Sequence, residues 1–295
     1  MKKIAVIFGG ESEEKKVSTH TGLSVVEAMK GYFRVVPINL GNDYFKLHHK
    51  LYDVDLVFNA LHGGYGENGE IQKYFEKYNI KYTGSDSKSS KICMDKNKTK
   101  LIAKKINIPV LDWDIIEPKT KYDFNKWNIP FIIKPNDGGS TIGLELISEK
   151  TMISDALKNS FNVSKKLMIE KYFKGKEISV PIIDGNILPA IEIKSSNLLY
   201  DYESKYESDK TEYIIPADID SKLLRKISND SLKIYKKIRC RHYARIDFLV
   251  KDNKYYMLEI NTLPGLTSTS LLPKSANYIG LDYKNLIKKI VELAL

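Results

Sequence analysis

Cysteine is scarce in this 295-residue sequence, which contains only Cys93 and Cys240. The two thiols are too far apart along the chain to form a Cys-x-x-Cys metal pair, and they provide no disulfide framework. A disulfide-stabilised secreted domain is therefore excluded, and a reducing, cytoplasmic location is expected.

Long apolar runs are also absent. No stretch reaches the roughly 18 apolar residues that a transmembrane helix requires. The N-terminal segment MKKIAVIFGG carries a lysine pair, but its apolar stretch is too short for a signal peptide. We therefore expect no membrane partner.

Arginine-rich stripes are missing, although the formal net charge is +10. The lysines are scattered among Ile, Asn and Tyr along the whole chain, as a biased composition would scatter them. This pattern argues against nucleic acid as a partner, and it leaves a basic cleft for an anionic small molecule as the expectation. A P-loop is absent as well, because no G-x-x-x-x-G-K-[ST] occurs.

The chain has no internal repeat and no low-complexity linker, yet its length predicts two or three domains. Alternating apolar strands and amphipathic helices predict a parallel α/β unit that ends near residue 85. Later strands are longer and closer together. The main predicted strands are Lys3–Phe8, Leu56–Leu61, Phe131–Lys134, Leu144–Ile147, Leu167–Glu170, Ile178–Ile183, Ile187–Ile193, Ala244–Val250 and Tyr255–Ile260, and the main predicted helices are Val17–Met29, Ile71–Lys77, Lys91–Lys105 and Tyr283–Leu293.

An acidic turn, GGESEE, follows the first strand. A dinucleotide-binding turn would cradle phosphate at this place, but three acids would repel it. Glu11 and Glu13 are interpreted as complements to the dipole of the following helix. Glu14 has a second interpretation, in which it points into a cleft and holds a substrate ammonium.

Two segments in the middle of the chain suit a nucleotide. PFIIKPNDGGSTIG places Lys134 at the end of a strand, before a glycine-rich hairpin whose backbone N–H groups could approach phosphate, although an ordinary hairpin is the commoner case. LMIEKYFKGKEISV carries Glu170 and Glu177 on what we expect to be an exposed segment. Alone, each pattern is weak.

The strands ARIDFLV and YYMLEINT each carry two polar residues on one face, because side chains alternate along a strand. If these strands pair antiparallel, Asp247, Glu259 and Asn261 come together as three oxygen ligands for magnesium. The alternative is a buried salt bridge of Arg245 with one of the two acids. That bridge would leave the other acid unpaired, which favours the metal.

Taken together, these segments resemble the D-alanine:D-alanine ligases of the ATP-grasp superfamily. The resemblance runs from end to end of the chain. It is carried, in order, by FGGESEEKKVSTHTG, ALHGGYGENG, YTGSDSKSSKICMDK, IIKPNDGGSTIG, EKYFKGKE, YDYESKY, ARIDFL and EINTLPGLTSTSLLP.

The resemblance implies an α/β (α+β) fold of the three-domain ATP-grasp type. Its parts are a Rossmann-like parallel domain (1–85) that binds the first D-alanine, and two α+β ATP-grasp subdomains (86–174 and 175–295) that clasp ATP. It implies ATP and D-alanine as partners, Mg²⁺ (two ions, with Mn²⁺ as a substitute) as cofactor, and a homodimer. The implied reaction makes D-alanyl-D-alanine for peptidoglycan precursors through a D-alanyl phosphate, with ADP as the second product.

Residue roles follow from the same resemblance. The implied metal ligands are Asp247, Glu259 and Asn261. The implied ATP-binding residues are Lys96, Lys134, Ser140, Glu170, Lys171, Tyr172, Phe173 and Glu177. The implied catalytic residues are Glu14, Ser140, Tyr206, Arg245, Gly265 and Ser270, and the implied contacts to the two D-alanines are His62, Lys205, Ser270 and Leu271.

Three positions depart from the family pattern: Lys16, Asn68 and Thr141. None removes an implied ligand, although Lys16 could change the affinity around Glu14. A sister ligase that joins D-alanine to D-lactate or D-serine is the alternative, against which Tyr206 argues. A nucleotide-binding regulator without turnover is a second alternative, which the retained Arg245 disfavours. Residues 200–212 are expected to form a loop that closes over the ligands.

Overall fold

The structure is a computed structural model of the chain and describes residues 1–41, 44–194 and 211–295. Within these ranges no helix combines the length and apolar character needed to cross a bilayer.

The first unit is built on a parallel sheet in the order β2-β1-β3, formed by β1 (Lys3–Gly9), β2 (Arg34–Leu40) and β3 (Leu56–Asn59). β1 is almost continuously apolar because both of its faces are covered. β2, which the sequence analysis missed, is an edge strand that tolerates Pro37. The flanking helices are α1 (Lys15–Met29), α2 (His48–Leu51) and α3 (Glu70–Lys77), with 3₁₀ turns at Tyr44–Lys46 and Gly64–Gly66.

The predicted single helix Lys91–Lys105 is wrong. Two helices are present, α4 (Ser87–Met94) and α5 (Lys96–Lys105), and Asp95 between them has extended backbone angles. The carboxylate of Asp95 accepts a hydrogen bond from the backbone N–H of Lys98 at 3.1 Å, so it caps the second helix. The break places Lys96 at the first position of α5.

An antiparallel sheet in the order β4-β7-β5-β6 follows these helices. Its strands are β4 (Trp113–Ile116), β5 (Phe131–Pro135), β6 (Glu145–Ile147) and β7 (Leu167–Lys171), and it is covered by α6 (Ile153–Val163), with 3₁₀ turns at Phe124–Lys126 and Lys150–Met152. The core between this sheet and α6 contains Ile116, Phe131, Ile133 and Leu167.

The third sheet is also antiparallel, in the order β11-β10-β8-β12-β13, with β9 paired to β8. Its strands are β8 (Lys176–Ile183), β9 (Asn186–Ile187), β10 (Ile191–Lys194), β11 (Glu212–Ile214), β12 (Tyr243–Lys251) and β13 (Lys254–Asn261), and α7 (Ser221–Ile238) packs on it. The predicted strand Ile187–Ile193 is wrong, since it divides into β9 and β10 around Pro189, a residue without a backbone N–H.

The chain ends with α8 (Leu271–Tyr278) and α9 (Tyr283–Ala294). Leu286 and Ile290 of α9 share one core cluster with Ile4 of β1 and Val25 of α1. The last helix therefore packs against the first unit. The parallel unit followed by antiparallel α+β sheets agrees with the predicted fold class, and the boundaries at residues 85 and 174 stay predictions.

Candidate active site

The two polar strand ends come together as the sequence predicted. β12 and β13 pair antiparallel, with Asp247 directly opposite Glu259 and Arg245 directly opposite Asn261. A register shift follows Asp247, so the ladder is irregular beside these residues. The adjacency of the three oxygen-bearing residues is confirmed, and their role as metal ligands stays a prediction.

Both acids already have cationic neighbours. The guanidinium of Arg245 binds Asp247 through Nε to Oδ1 at 3.0 Å and Nη2 to Oδ2 at 2.8 Å, and Ser179 Oγ donates to Asp247 Oδ1 at 2.7 Å. Lys96 Nζ lies 3.4 Å from Glu259 Oε2. The salt bridge of Arg245 with Asp247 therefore does not leave Glu259 unpaired, contrary to the prediction, because Lys96 reaches Glu259 from a separate element.

The donor set still suits a divalent cation. Asp247, Glu259 and Asn261 supply carboxylate and amide oxygens, which Mg²⁺ prefers. Asn261 Oδ1 accepts a hydrogen bond from Leu263 N at 3.1 Å, which orients the amide and leaves one lone pair on the oxygen. In the described part of the chain, no group of three or more His, Cys, Asp or Glu side chains is arranged to hold a metal. The assignment of Asp247, Glu259 and Asn261 as metal ligands therefore stays a prediction.

A chamber of about 170 Å³ lies between the second and third sheets. Its lining includes the predicted nucleotide-binding residues Lys96, Lys134, Ser140, Glu170, Lys171, Tyr172, Phe173 and Glu177, together with Arg245, Asp247 and Glu259. All the described ATP-binding candidates thus lie around one space. The expectation that Glu170 is exposed is wrong, since it is 2% exposed and its strand is buried up to that residue.

Glu170 is held by two lysines. Lys134 Nζ donates to Glu170 Oε2 at 2.6 Å, and Lys100 Nζ forms an ion pair with Oε1. Burial alone would raise the pKa of Glu170, but Lys100 and Lys134 outweigh burial and hold that pKa below its usual value. Lys100 was not predicted from the sequence. Its spacing of one helical turn after Lys96 was an available signal.

A larger cavity of about 690 Å³ adjoins this chamber. The two spaces share Lys96, Ser140, Arg245 and Glu259 in their linings. The larger cavity reaches α1 on one side and the start of α8 on the other, and its lining includes Glu14, His62, Gly265, Ser270 and Leu271. The described candidates for substrate binding therefore lie in a second space that is continuous with the first.

Glu14 points into the larger cavity, which supports the second of its two interpretations. Ser140 Oγ donates a hydrogen bond to Glu14 Oε1. Glu14 precedes α1 without capping it through its side chain, and the exposed Glu11 and Glu13 lie ahead of the helix's first turn. Glu13 directly precedes the N-cap residue Glu14, and the interpretation that Glu11 and Glu13 complement the helix dipole stays a prediction.

His62 is buried between two polar partners. Its Nε2 lies 3.1 Å from Thr21 Oγ1, and its Nδ1 lies 3.2 Å from Glu67 Oε1. The ring thus has a fixed orientation at the cavity wall. Neither Thr21 nor Glu67 was predicted as a partner of His62. The two residues lie on different elements, so no local sequence pattern links them.

The start of α8 forms the far wall. Ser270 is the N-cap residue, and its Oγ accepts a hydrogen bond from Thr267 N at 3.2 Å. A Cβ on Gly265 would lie 3.0 Å from Ser270 Oγ, so the glycine allows a close approach of the two segments. Leu271 begins the helix, whose N-terminal amides favour an anion. Lys205, Tyr206 and the predicted loop at 200–212, up to residue 210, lie outside the described residues.

Comparison with known proteins gives a consistent result. Family models described as "D-ala D-ala ligase N-terminus" and "D-ala D-ala ligase C-terminus" match residues 42–85 and 102–292. A D-alanine--D-alanine ligase of Bacillus anthracis is 40% identical over 99% of this chain and 97% of its own length.

Solved structures agree with these matches. A crystal structure of the Bacillus anthracis D-alanine--D-alanine ligase complexed with ATP has a TM-score of 0.89 at 37% identity, and the match covers 100% of this chain and 97% of that one. The VanG D-Ala:D-Ser ligase from Enterococcus faecalis has a TM-score of 0.84 at 27% identity, covering 100% and 99%.

Proposed function

We propose, from the premise that this chain belongs to the D-alanine–D-alanine ligase family, that it joins two D-alanines to D-alanyl-D-alanine at the expense of ATP. Because the members of this family are ligases, the chain is a ligase. The other products of the proposed reaction are ADP and phosphate. The observation that carries the proposal is the pair of adjoining cavities, which share Arg245 and Glu259 at the edge of the β12–β13 ladder. One cavity suits a nucleotide and the other suits two small zwitterions.

The smaller chamber is assigned to ATP. Lys96 and Lys134 are placed to neutralise phosphates, and Gly138–Ser140 provides backbone N–H groups beside them. Glu170 and the backbone after it face the adenine, and Glu177 faces the ribose. The relative whose structure is complexed with ATP supports this assignment.

Asp247, Glu259 and Asn261 are proposed to hold Mg²⁺ or Mn²⁺. When bound, the metal neutralises charge on the ATP phosphates during phosphoryl transfer. Lys96 and Arg245 would then exchange part of their present contact with Glu259 and Asp247 for contact with phosphate or substrate oxygens. The positive charge of the metal would then replace part of the charge of Lys96 and Arg245 beside Glu259 and Asp247. The two carboxylates would therefore keep a cationic partner in a partly buried site.

The first D-alanine is assigned to the larger cavity near Glu14. The carboxylate of Glu14 suits its ammonium group, and His62 lies beside the position of its carboxylate. A carboxylate cannot be attacked directly by an amine, because oxide would have to leave. Transfer of the γ-phosphoryl group to this carboxylate gives an acyl phosphate, whose phosphate is a good leaving group.

The second D-alanine is assigned to the start of α8. The backbone amides at Ser270 and Leu271 suit its carboxylate. Its ammonium group first loses a proton to solvent, and the resulting amine attacks the carbonyl carbon of the acyl phosphate. Arg245 with the N–H of Gly265 stabilises the tetrahedral oxyanion. Phosphate then leaves, and the dipeptide serves the synthesis of peptidoglycan precursors.

Product analysis tests the proposal. The protein is incubated with ATP, Mg²⁺ and D-alanine, with D-lactate or D-serine added in parallel reactions, and the products are identified by mass spectrometry. We expect D-alanyl-D-alanine in a one-to-one ratio with ADP. Preferential formation of D-alanyl-D-lactate or D-alanyl-D-serine would favour the sister-ligase alternative, and phosphate release without any dipeptide would contradict a ligase.

The proposal includes a cytoplasmic location, where ATP is available, and a homodimer. The resemblance of the whole chain to the family supports both. Sedimentation of the purified protein with and without ATP measures the oligomeric state directly.

A further inference from the structure

Among the described residues, Lys100 is a fully buried lysine that lines neither of the two cavities. Its side chain is 0% exposed, and it is absent from the linings of both cavities, whereas Glu170 and Lys134 line the smaller chamber. Lys100 therefore lies behind Glu170, on the side away from the ligand. Its ion pair with a residue of the chamber lining is the one with Glu170.

The carboxylate of Glu170 is divided between the two lysines. Oε1 faces Lys100 and Oε2 faces Lys134, which is itself only 8% exposed. In the described part of the chain, neither Lys100 Nζ nor Glu170 Oε1 has a hydrogen-bond partner outside this ion pair. Lys100 and Lys134 thus share the buried carboxylate of Glu170. Among the described residues, the ion pair with Glu170 is the one that Lys100 forms.

We propose that Lys100 is a positioning residue that serves as the permanent counter-ion of Glu170 and thereby frees Lys134 to bind the phosphates of the nucleotide. The inference rests on the proposed function, because it assumes that the smaller chamber binds ATP.

Two anionic groups compete for the ammonium group of Lys134. Phosphate oxygens and Glu170 Oε2 both attract Lys134 Nζ. If Lys134 were the sole partner of Glu170, moving it towards a phosphate would strand a buried carboxylate, which is strongly unfavourable. With Lys100 in place, Glu170 keeps a counter-ion while Lys134 moves.

The surroundings of Lys100 hold it in this position. Its Nζ lies 5.6 Å from the centre of the Trp113 ring, within the range of a cation–π contact. Trp113 Nε1 donates to Asn97 Oδ1 at 2.8 Å, which fixes the ring against the first turn of α5. Burial lowers the pKa of Lys100, and the attraction of Glu170 opposes that shift.

Binding of ADP and of adenosine to Lys100→Met tests the inference. The two ligands share the base and ribose, and only ADP has phosphates for Lys134. In Lys100→Met, we expect the ratio of the ADP affinity to the adenosine affinity to fall about tenfold relative to the wild type. The reason is that Lys134 then stays paired with Glu170 instead of contacting the phosphates. Affinity for adenosine should change little. Calorimetric titration in the presence of Mg²⁺ measures both affinities.

Lys104→Met is the matched control. Lys104 is an exposed residue of the same helix, and its Nζ also lies near the Trp113 ring, at 5.9 Å. This control removes one charge and one cation–π contact without touching Glu170. It should keep the wild-type preference for ADP.

The double variant Lys100→Met/Glu170→Gln removes the charge that would retain Lys134, so it should recover most of the preference for ADP. If Lys100→Met does not fold but the double variant folds and prefers ADP over adenosine, the inference is supported. If neither variant folds, Lys100 acts in packing and the inference is overturned. An equal loss of both affinities, or no loss, in Lys100→Met overturns it as well. Absence of ADP binding to the wild type would instead contradict the proposed function.

Discussion

At the scale of single residues, the Glu14 carboxylate lies against two glycines, Gly63 and Gly139, and their lack of side chains leaves room for it. A Cβ on Gly63 would lie 2.7 Å from Glu14 Oε2, and a Cβ on Gly139 would lie 3.0 Å from the same atom. Ser140 binds the other carboxylate oxygen. Two glycines and a hydroxyl therefore fix the carboxylate that we assign to the first substrate.

Replacing Gly139 by alanine should shift this carboxylate and leave the fold intact, because the atom that must move is the end of a flexible side chain. We expect the KM for the first D-alanine to rise by about tenfold, since small misplacements in a binding site are costly. The KM for ATP should rise less. Steady-state kinetics with each substrate varied in turn measures the effect.

Gly41→Ala is the control for this substitution, because a Cβ at Gly41 would meet no atom of the described residues within 4 Å. If Gly139→Ala raises both KM values equally, Gly139 acts on the nucleotide chamber, which it also lines, and the assignment of Glu14 loses its support.

Removing the charge of Glu259 tests the proposed metal site at the same scale. The side chain is 34% exposed, so Glu259→Gln should have little effect on the melting temperature. We expect the Mg²⁺ concentration needed for half-maximal ADP binding to rise about tenfold or more, because one of two carboxylate ligands is lost.

Asp252→Asn is matched to this variant, since Asp252 lies in the turn between the same two strands and has φ +54°, which asparagine tolerates. It should leave the Mg²⁺ requirement unchanged. An unchanged requirement in Glu259→Gln would remove Glu259 from the ligand set.

At the scale of elements, α7 shows how local signals start and stop a helix. Asp220 caps its first turn by accepting hydrogen bonds from Lys222 N and Leu223 N, both at 3.0 Å. Leu223, Ile227, Ile234 and Ile238 follow at helical spacing and are buried against the third sheet. The helix ends at Ile238, and the next residue, Arg239, has left-handed backbone angles of φ 65° and ψ 41°.

A glycine at this C-terminal position should stabilise the protein. Left-handed angles are unfavourable for a residue with a Cβ, so Arg239→Gly should raise the free energy of unfolding by about 0.5–1 kcal/mol. Urea unfolding measures the change. Arg225→Gly, the same substitution at an exposed position inside the helix, should lower that free energy by about 1 kcal/mol. A loss of stability in both variants would show that the Arg239 side chain has a stabilising contact.

At the scale of the whole molecule, the first and third units are joined by polar contacts as well as by the core shared with α9. The backbone N–H of Gly84 donates to His242 Nδ1 at 3.0 Å, and Arg241 N donates to Ser85 Oγ at 3.1 Å. Burial, reinforced by the nearby charge of Arg241, lowers the pKa of His242 from 6.5 to about 4. The ring is therefore neutral at pH 7, as its acceptor role requires.

This lowered pKa predicts a pH dependence of stability. Above pH 6.5 His242 is neutral in both the folded and the unfolded chain. Between pH 6.5 and about 4 the unfolded chain binds a proton that the folded chain does not, so stability falls as the pH is lowered. Since the ring is partly exposed, we expect His242 to account for about 1 kcal/mol of loss between pH 7 and pH 5.

His242→Asn removes the titration and keeps much of the geometry. Asparagine tolerates the φ of +59° at this position, and its amide oxygen can accept the hydrogen bond from Gly84. Urea unfolding at both pH values should show a smaller loss in the variant than in the wild type. Equal losses would mean that His242 titrates in the folded protein near its ordinary pKa.

The sequence by itself determined those features that depend on neighbours along the chain. Side-chain alternation on two consecutive strands was enough to bring Asp247, Glu259 and Asn261 together, because a short turn leaves few other pairings. The order of its motifs was enough to identify the family. Apolar periodicity located most strands and helices, and it failed where a local feature interrupted a periodic run, as at Asp95 and Pro189.

Only the tertiary structure decided which charges neutralise one another. Lys96 lies beside Glu259 and Lys100 beside Glu170, and each pair joins elements that are far apart in sequence. No local pattern encodes these pairs, because they depend on how separate sheets and helices pack. The sequence therefore predicted which polar residues gather at the site, whereas the packing of the folded chain set the charged partners of Glu259 and Glu170.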